Sequence, residues 1–170
     1  MHRNIDEFTA PVIDVHLNRA LAQLTNEDAV LFKFDASERS LCFRLAIYLD
    51  TEFRNFDFNV DCEYNRYYQD PSRRKLLYER SLKGFAERKI PLADEDGLTV
   101  FPDIIVHRRE TNQNLLVIEI KKTTSSIDKD FDLAKLRAYR NELGYRFAKF
   151  IRLGTAGESD CIVENQFIVD

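Results

Sequence analysis

The segment LLVIEIKK at 115–122 constrains the fold more than any other stretch of the chain. Apolar residues fill both alternating faces of it, which is the pattern of a strand covered on two sides. A second apolar run, VFPDIIVH at 100–107, precedes it across a polar turn. Together they read as two strands of a hairpin spanning 100–122. The charges in this hairpin are placed unusually. Asp103 follows Pro102 directly, and Glu119 and Lys121 stand two apart, so their side chains leave the strand on the same face. If the strands pair, Asp103 sits beside Glu119. Two carboxylates and a lysine gathered at one sheet end are costly as packing, whereas a bound cation compensates them.

The flanking sequence reads as support for this hairpin. Residues 10–25 carry Ile13, Leu17, Ala20, Leu21 and Leu24 on one helical face, with Thr9 as a cap and Pro11 in the first turn. His16 near that face reads as a packed residue. Residues 36–53 form a second helix with the stripe Leu41, Leu45, Tyr48 and Leu49. Glu38 at its start has two readings. With Asp35 as N-cap it completes a capping-box spacing, or it reaches over the sheet end as a third carboxylate. Residues 56–64, FDFNVDCEY, alternate as a half-buried strand. The basic segment 71–90 reads as an inserted helix, residues 128–143 as a helix closed by Gly144, and 145–153 and 161–169 as strands. A helix that follows one strand and feeds another suits a crossover connection. The fold class expected is therefore α/β: a sandwich whose central mixed sheet of about five strands is flanked by helices. The whole of 1–170 reads as a single domain.

An E-x-K triplet alone means little, and the chain contains its own control. Glu87-Arg88-Lys89 also matches but lies in a polar segment with no apolar strand leading into it. The copy at Glu119–Lys121 ends a buried-strand pattern and is preceded by the only Pro-Asp dipeptide in the chain. On these residues the chain resembles the PD-(D/E)xK phosphodiesterase superfamily, which has the restriction-endonuclease-like fold. The resemblance covers about 36–153. The helix at 10–25, the basic insertion at 71–90 and the strand at 161–169 are additions to that core.

The resemblance implies a metal-dependent nuclease that hydrolyses phosphodiester bonds, with DNA expected before RNA. It implies Glu38, Asp103, Glu119 and Lys121 as catalytic residues. Glu38, Asp103, Glu119 and the carbonyl of Ile120 would be ligands for Mg²⁺, or for Mn²⁺ in its place. Lys122, Lys135, Arg137, Tyr139 and His107 are candidate substrate contacts. His107 shares a face with Asp103 but stands about 13 Å along the strand, too far for the same metal shell, and reads either as a solvated strand-end residue or as a substrate contact. The alternative is a catalytically silent module of the same fold that binds nucleic acid or assembles with partners.

Charge distribution is compatible with a polyanionic substrate. The net charge is −4, yet segments 66–89 and 108–152 each carry +5 and flank an acidic 90–107 at −4. No apolar run reaches the roughly 18 residues of a membrane span. The N-terminus has no apolar signal core, and the three cysteines, Cys42, Cys62 and Cys161, form no CxxC pair. These features suit a reduced cytoplasm and argue against a zinc site. A homodimer or a subunit of a larger defence or repair system is compatible with all of this.

Overall fold

The computed structural model describes residues 4–67, 75–77, 82, 98–99, 101–126, 129–155, 158 and 160–168. Four helices are found there: α1 (Ala10–Glu27), α2 (Ala29–Lys33), α3 (Glu38–Phe53) and α4 (Lys129–Leu143). The strands are β1 (Asn59–Cys62), β2 (Leu76–Leu77), β3 (Leu98–Thr99), β4 (Ile104–His107), β5 (Asn114–Lys122), β6 (Phe147–Leu153) and β7 (Ile162–Phe167). Five of the strands form one sheet in the order β1-β4-β5-β6-β7. β5 and β6 are parallel and the other neighbours antiparallel. This is the mixed five-stranded α/β arrangement expected from the pattern.

β5 is central because its residues tolerate burial on both sides. Leu116, Ile118 and Ile120 face one way, into a core built with Leu17, Leu21 and Leu24 of α1 and Leu41, Leu45 and Leu49 of α3. Val117 faces the other way, with Ile105, Ala148 and Phe150, against Leu136, Ala138 and Tyr139 of α4. The sheet is thus sandwiched between helices, and Glu119 and Lys121 emerge on the α4 side.

The helix ends follow from local chemistry, with two corrections. Ser37, not Asp35, is the N-cap of α3, and its hydroxyl accepts from the Ser40 N–H at 3.2 Å. Asp35 instead lies in the left-handed region at φ 51° and pairs with Lys122 at 2.6 Å. Thr9 caps α1 through its backbone alone, its carbonyl accepting from the Ile13 N–H at 3.0 Å. Gly144 ends α4 as expected. It adopts φ +68°, and its N–H reaches the Arg140 carbonyl at 3.2 Å. His16 is a packed residue, bonded to Glu52 at 2.7 Å and flanked by the rings of Phe53 and Phe56.

Two further expectations change. Within the inserted segment, Leu76–Leu77 are a strand paired with Leu98–Thr99, not helix; the rest of 71–90 apart from Lys75 and Leu82 lies outside the described residues. The expected strand at 56–64 is shorter. Phe56 ends a 3-10 turn and Asp57 takes a left-handed conformation, so pairing starts only at Asn59.

His107 is not a solvated strand-end residue. It is buried at the β4 end, and its Nε2 meets Asp61 Oδ2 of neighbouring β1 at 2.8 Å. Arg109 bonds the same carboxylate through both oxygens. Burial alone would raise the Asp61 carboxyl, but hydrogen bonds from His107 and Arg109 hold it well below the usual range. Asp61→Asn is expected to cost about 2 kcal/mol in urea denaturation at neutral pH, the worth of hydrogen bonds to a charged group. The wild-type advantage should be complete above about pH 4 and fade as the pH falls below that, because the folded carboxyl stays ionised longer than the unfolded one. Equal stability of the two proteins at neutral pH would refute the assignment.

Candidate active site

The β4–β5 register pairs Ile104 with Ile118 and Ile105 with Val117. The next step along the same register sets Asp103 opposite Glu119. Pro102 has no N–H to extend the β4 ladder on that side, and its carbonyl is taken by the Glu63 N–H at 3.0 Å. Asp103 therefore sits where β4 starts, and its Oδ2 accepts the N–H of Ile120 at 2.7 Å. The sequence placed the two carboxylates side by side through strand pairing, and the structure holds them there.

Glu119 is 2% exposed. Its Oε2 accepts from Lys135 Nζ of α4 at 2.7 Å. The same ammonium lies 2.9 Å from Asp132 Oδ1, one helical turn earlier. Asp132 Oδ2 in turn stands 3.0 Å from Lys121 Nζ. Asp103, Glu119 and Asp132 thus face two ammonium groups, so with all three carboxyls ionised the buried space would hold one negative charge in excess.

Titration reflects that excess. Burial, reinforced by Asp103 and Asp132, pushes the Glu119 carboxyl up to about 8 against the pull of Lys135. Burial likewise raises Asp103, while the Ile120 N–H and the nearby lysines act to lower it. Burial would lower Lys135, but Glu119 and Asp132 outweigh it and hold the ammonium above the ordinary lysine range. Glu119 Oε1 and the hydroxyl of Tyr139 are both buried. Burial raises the Tyr139 hydroxyl, and the Glu119 carboxyl beside it acts in the same direction by charge and by hydrogen bonding, so the two groups share one environment.

Glu38 comes to the opposite wall. A cleft of about 390 Å³ is lined by Glu38, Arg39, Cys42, Phe43, Cys62, Glu63 and Asp103. The start of α3 therefore faces the Asp103 end of the sheet. Glu38 does not close a three-ligand set with Asp103 and Glu119. Among the described residues, no group of three or more His, Cys, Asp or Glu could hold a metal ion. One physical reason is that Lys135 occupies the inner oxygen of Glu119. Burial raises both thiols of the cleft, Cys62 to about 11, so neither is a thiolate ligand at neutral pH.

The remaining candidates separate clearly. Lys122 leaves the opposite face of β5, where it bonds the carbonyls of Asp35 and Ala36 at 3.2 and 2.9 Å and braces the loop before α3. It is structural, because strand alternation turns it away from Lys121. Lys135 and Tyr139 are interior groups of the carboxylate cluster. Arg137 is exposed on α4. His107 is committed to Asp61 at the far end of β4. Asp132 is the functional candidate that sequence reading missed; its spacing three before Lys135 and seven before Tyr139 puts all three on one helix face.

Comparison of the chain with protein-family models, with curated proteins and with solved structures returns no match.

The donor chemistry fits a hard dication. Mg²⁺ is commonly held by one or two carboxylates, with water and substrate phosphate completing the shell. Asp103 and Glu119 are two hard oxygen donors of that kind, with Lys135 on Glu119 Oε2. Lys135→Met removes the cation shared by Glu119 and Asp132 and is expected to cost about 3–5 kcal/mol at neutral pH. The sign with pH is definite. A carboxyl raised in the folded state loses stability as pH rises above about 4, where the unfolded chain releases its proton first. The cost should therefore be larger at pH 8 than at pH 5 in parallel urea titrations. The same cost at both would show that Glu119 does not depend on Lys135.

Proposed function

We propose that this chain is a divalent-metal-dependent phosphodiesterase acting on DNA, of the PD-(D/E)xK type that its sequence resembles. One observation carries the proposal: Asp103 and Glu119 meet at a buried sheet end where three carboxylates face two lysines and burial pushes the Glu119 carboxyl up to about 8. Buried charge of this kind destabilises a fold unless something compensates it. A cation brought by function is the natural compensation.

In this reading Asp103, Glu119 and the Ile120 carbonyl would hold the metal, and Glu38 stands apart from that set on the wall of the cleft beside Asp103. When bound, the metal polarises the phosphodiester and activates water. The chain's own residues do the rest. Lys121 stabilises charge that builds on the phosphorus oxygens. Asp132 holds the Lys121 ammonium in place and shares Lys135 with Glu119, so it is a positioning residue. Lys135 acts as the counter-ion of the metal-free site. Arg137, exposed on α4, is the remaining candidate for a phosphate contact, which would make binding salt-dependent.

The test is cleavage of plasmid and single-stranded DNA with Mg²⁺ or Mn²⁺. Chelation should abolish cleavage. Asp103→Asn and Glu119→Gln should fall to background, and Lys121→Met should lose about 10²- to 10³-fold, as for removal of one electrostatic donor. Arg137→Ala should weaken binding mainly at low salt and make it less salt-dependent. Equal activity in all variants would mean that a contaminant cuts and would sink the reading.

A second reading has its own support. Lys135 fills the Glu119 site and no three-ligand group is assembled among the described residues, as in a fold kept for binding without turnover. Calorimetry with Mn²⁺ separates the two. The enzyme reading expects one metal site that disappears in Asp103→Asn. No metal heat and no cleavage, with nucleic-acid or protein binding retained, would favour the silent module.

A further inference from the structure

A second cavity lies at the opposite end of the hairpin and belongs to neither the carboxylate cluster nor its cleft. Its volume is about 350 Å³, within the range of small-molecule sites. His107 and Asn114, the last β4–β5 pair, form its floor, and Gly144 at the end of α4 borders it. Tyr64, Tyr67, Arg66 and Lys75 line it from the segment after β1.

Lys75 is the group that calls for explanation. It is 6% exposed. Its ammonium donates to the hydroxyl of Tyr145 at 3.1 Å and lies 5.2 and 5.8 Å from the ring centres of Tyr145 and Tyr64. Among the described residues no carboxylate pairs with it. Burial pushes it down to about 8, so it still carries its charge for most of the time at neutral pH. Its ammonium has a hydroxyl and two ring faces as partners, and although Glu110 and Glu142 also line the cavity, neither forms an ion pair with it, which leaves its charge available to an anion. The surrounding wall is organised. Tyr64 packs on His107 with ring centres 5.0 Å apart, and His107 is fixed by Asp61.

We propose that this cavity binds a nucleoside monophosphate unit, with its phosphate on Lys75 and its base against Tyr64 and Tyr67. An aromatic wall next to a buried ammonium suits a ligand that is planar at one end and anionic at the other. Glu142 also lines the cavity and can accept from an exocyclic amine of the base. The unit can come from a free mononucleotide or from the phosphorylated end of a strand. The site does not depend on the carboxylate cluster, because its residues stand at the far end of β4 and β5.

The experiment uses the full chain in chelator-containing buffer, so that no hydrolysis intervenes. Adenosine 5′-monophosphate, adenosine, inorganic phosphate and a 5′-phosphorylated oligonucleotide are titrated separately by calorimetry and by amide chemical shifts. Adenosine 5′-monophosphate is expected to bind at least tenfold tighter than adenosine or phosphate alone. Lys75→Met should weaken it at least tenfold, and Asp103→Asn should leave it unchanged. The oligonucleotide binding as tightly as the mononucleotide assigns the source to strand ends; weaker binding assigns it to the free nucleotide. No preference for the monophosphate, or equal affinity in Lys75→Met, overturns the proposal. If Lys75→Met does not fold, the wild-type shifts decide. Changes centred on His107, Asn112 and Gly144 uphold the site, and changes centred elsewhere refute it.

Discussion

Glu119 is carried into the interior by a strand that is buried on both faces, and the surrounding structure is arranged around that charge. β5 must be apolar at almost every position to sit at the centre of the sheet, with α1 and α3 on one side and α4 on the other. A carboxylate on such a strand has no water to turn to. α4 answers with Lys135, and Lys135 is steadied in turn by Asp132 one helical turn away. Asp132 also holds Lys121. The pairing of β5 with α4 is thus fixed by charge as well as by the apolar contacts of Val117, Leu136 and Tyr139.

Satisfying Glu119 does not neutralise the cluster. Asp103 arrives from β4 with a second carboxylate whose one named bond is to the Ile120 N–H. A fold selected for stability alone would replace such a group by an apolar residue at little cost, since buried ion clusters rarely repay their desolvation. Three carboxylates against two lysines at a buried sheet end are therefore costly to folding, and perturbed carboxylates gathered in this way point to a role outside it. The raised titration of Glu119 and Asp103 is the same statement in another form. A divalent cation would favour their ionised forms and release Lys135 from its place as surrogate.

Much of this was legible in sequence because it rests on strand periodicity. The two-sided apolar pattern of 115–120 required a central strand, and the antiparallel neighbour at 104–107 brought Asp103 next to Glu119. The helices expected at 10–25 and 36–53 were visible through apolar spacing at three and four residues, and that at 128–143 through its closing Gly144; they are found at Ala10–Glu27, Glu38–Phe53 and Lys129–Leu143. What escaped was set by contacts between distant segments. His107 read as a solvated terminus because nothing local announces that Asp61, on a strand 46 residues earlier, will cover it. Lys135 and Lys122 read as phosphate contacts because a lysine on an amphipathic element is normally solvated. Their burial follows from carboxylates and carbonyls supplied by other elements. Asp132 was hidden among the charges of DKDFDLAK, where composition alone cannot say which carboxylate turns inward.

The two ends of the β4–β5 hairpin show how one strand pair can carry two kinds of buried charge. At the Asp103–Glu119 end the surplus is of carboxylates over lysines, and at the His107–Asn114 end it is the Lys75 ammonium, which has no carboxylate partner among the described residues. Each is shielded from water by its own part of the α4 side: the first two turns of α4 cover the carboxylates, and the α4 terminus with Tyr145 covers Lys75. Between them the strands are apolar, so neither charge can relax onto the other. In the readings proposed for this chain, a cation would compensate the first end and an anion the second.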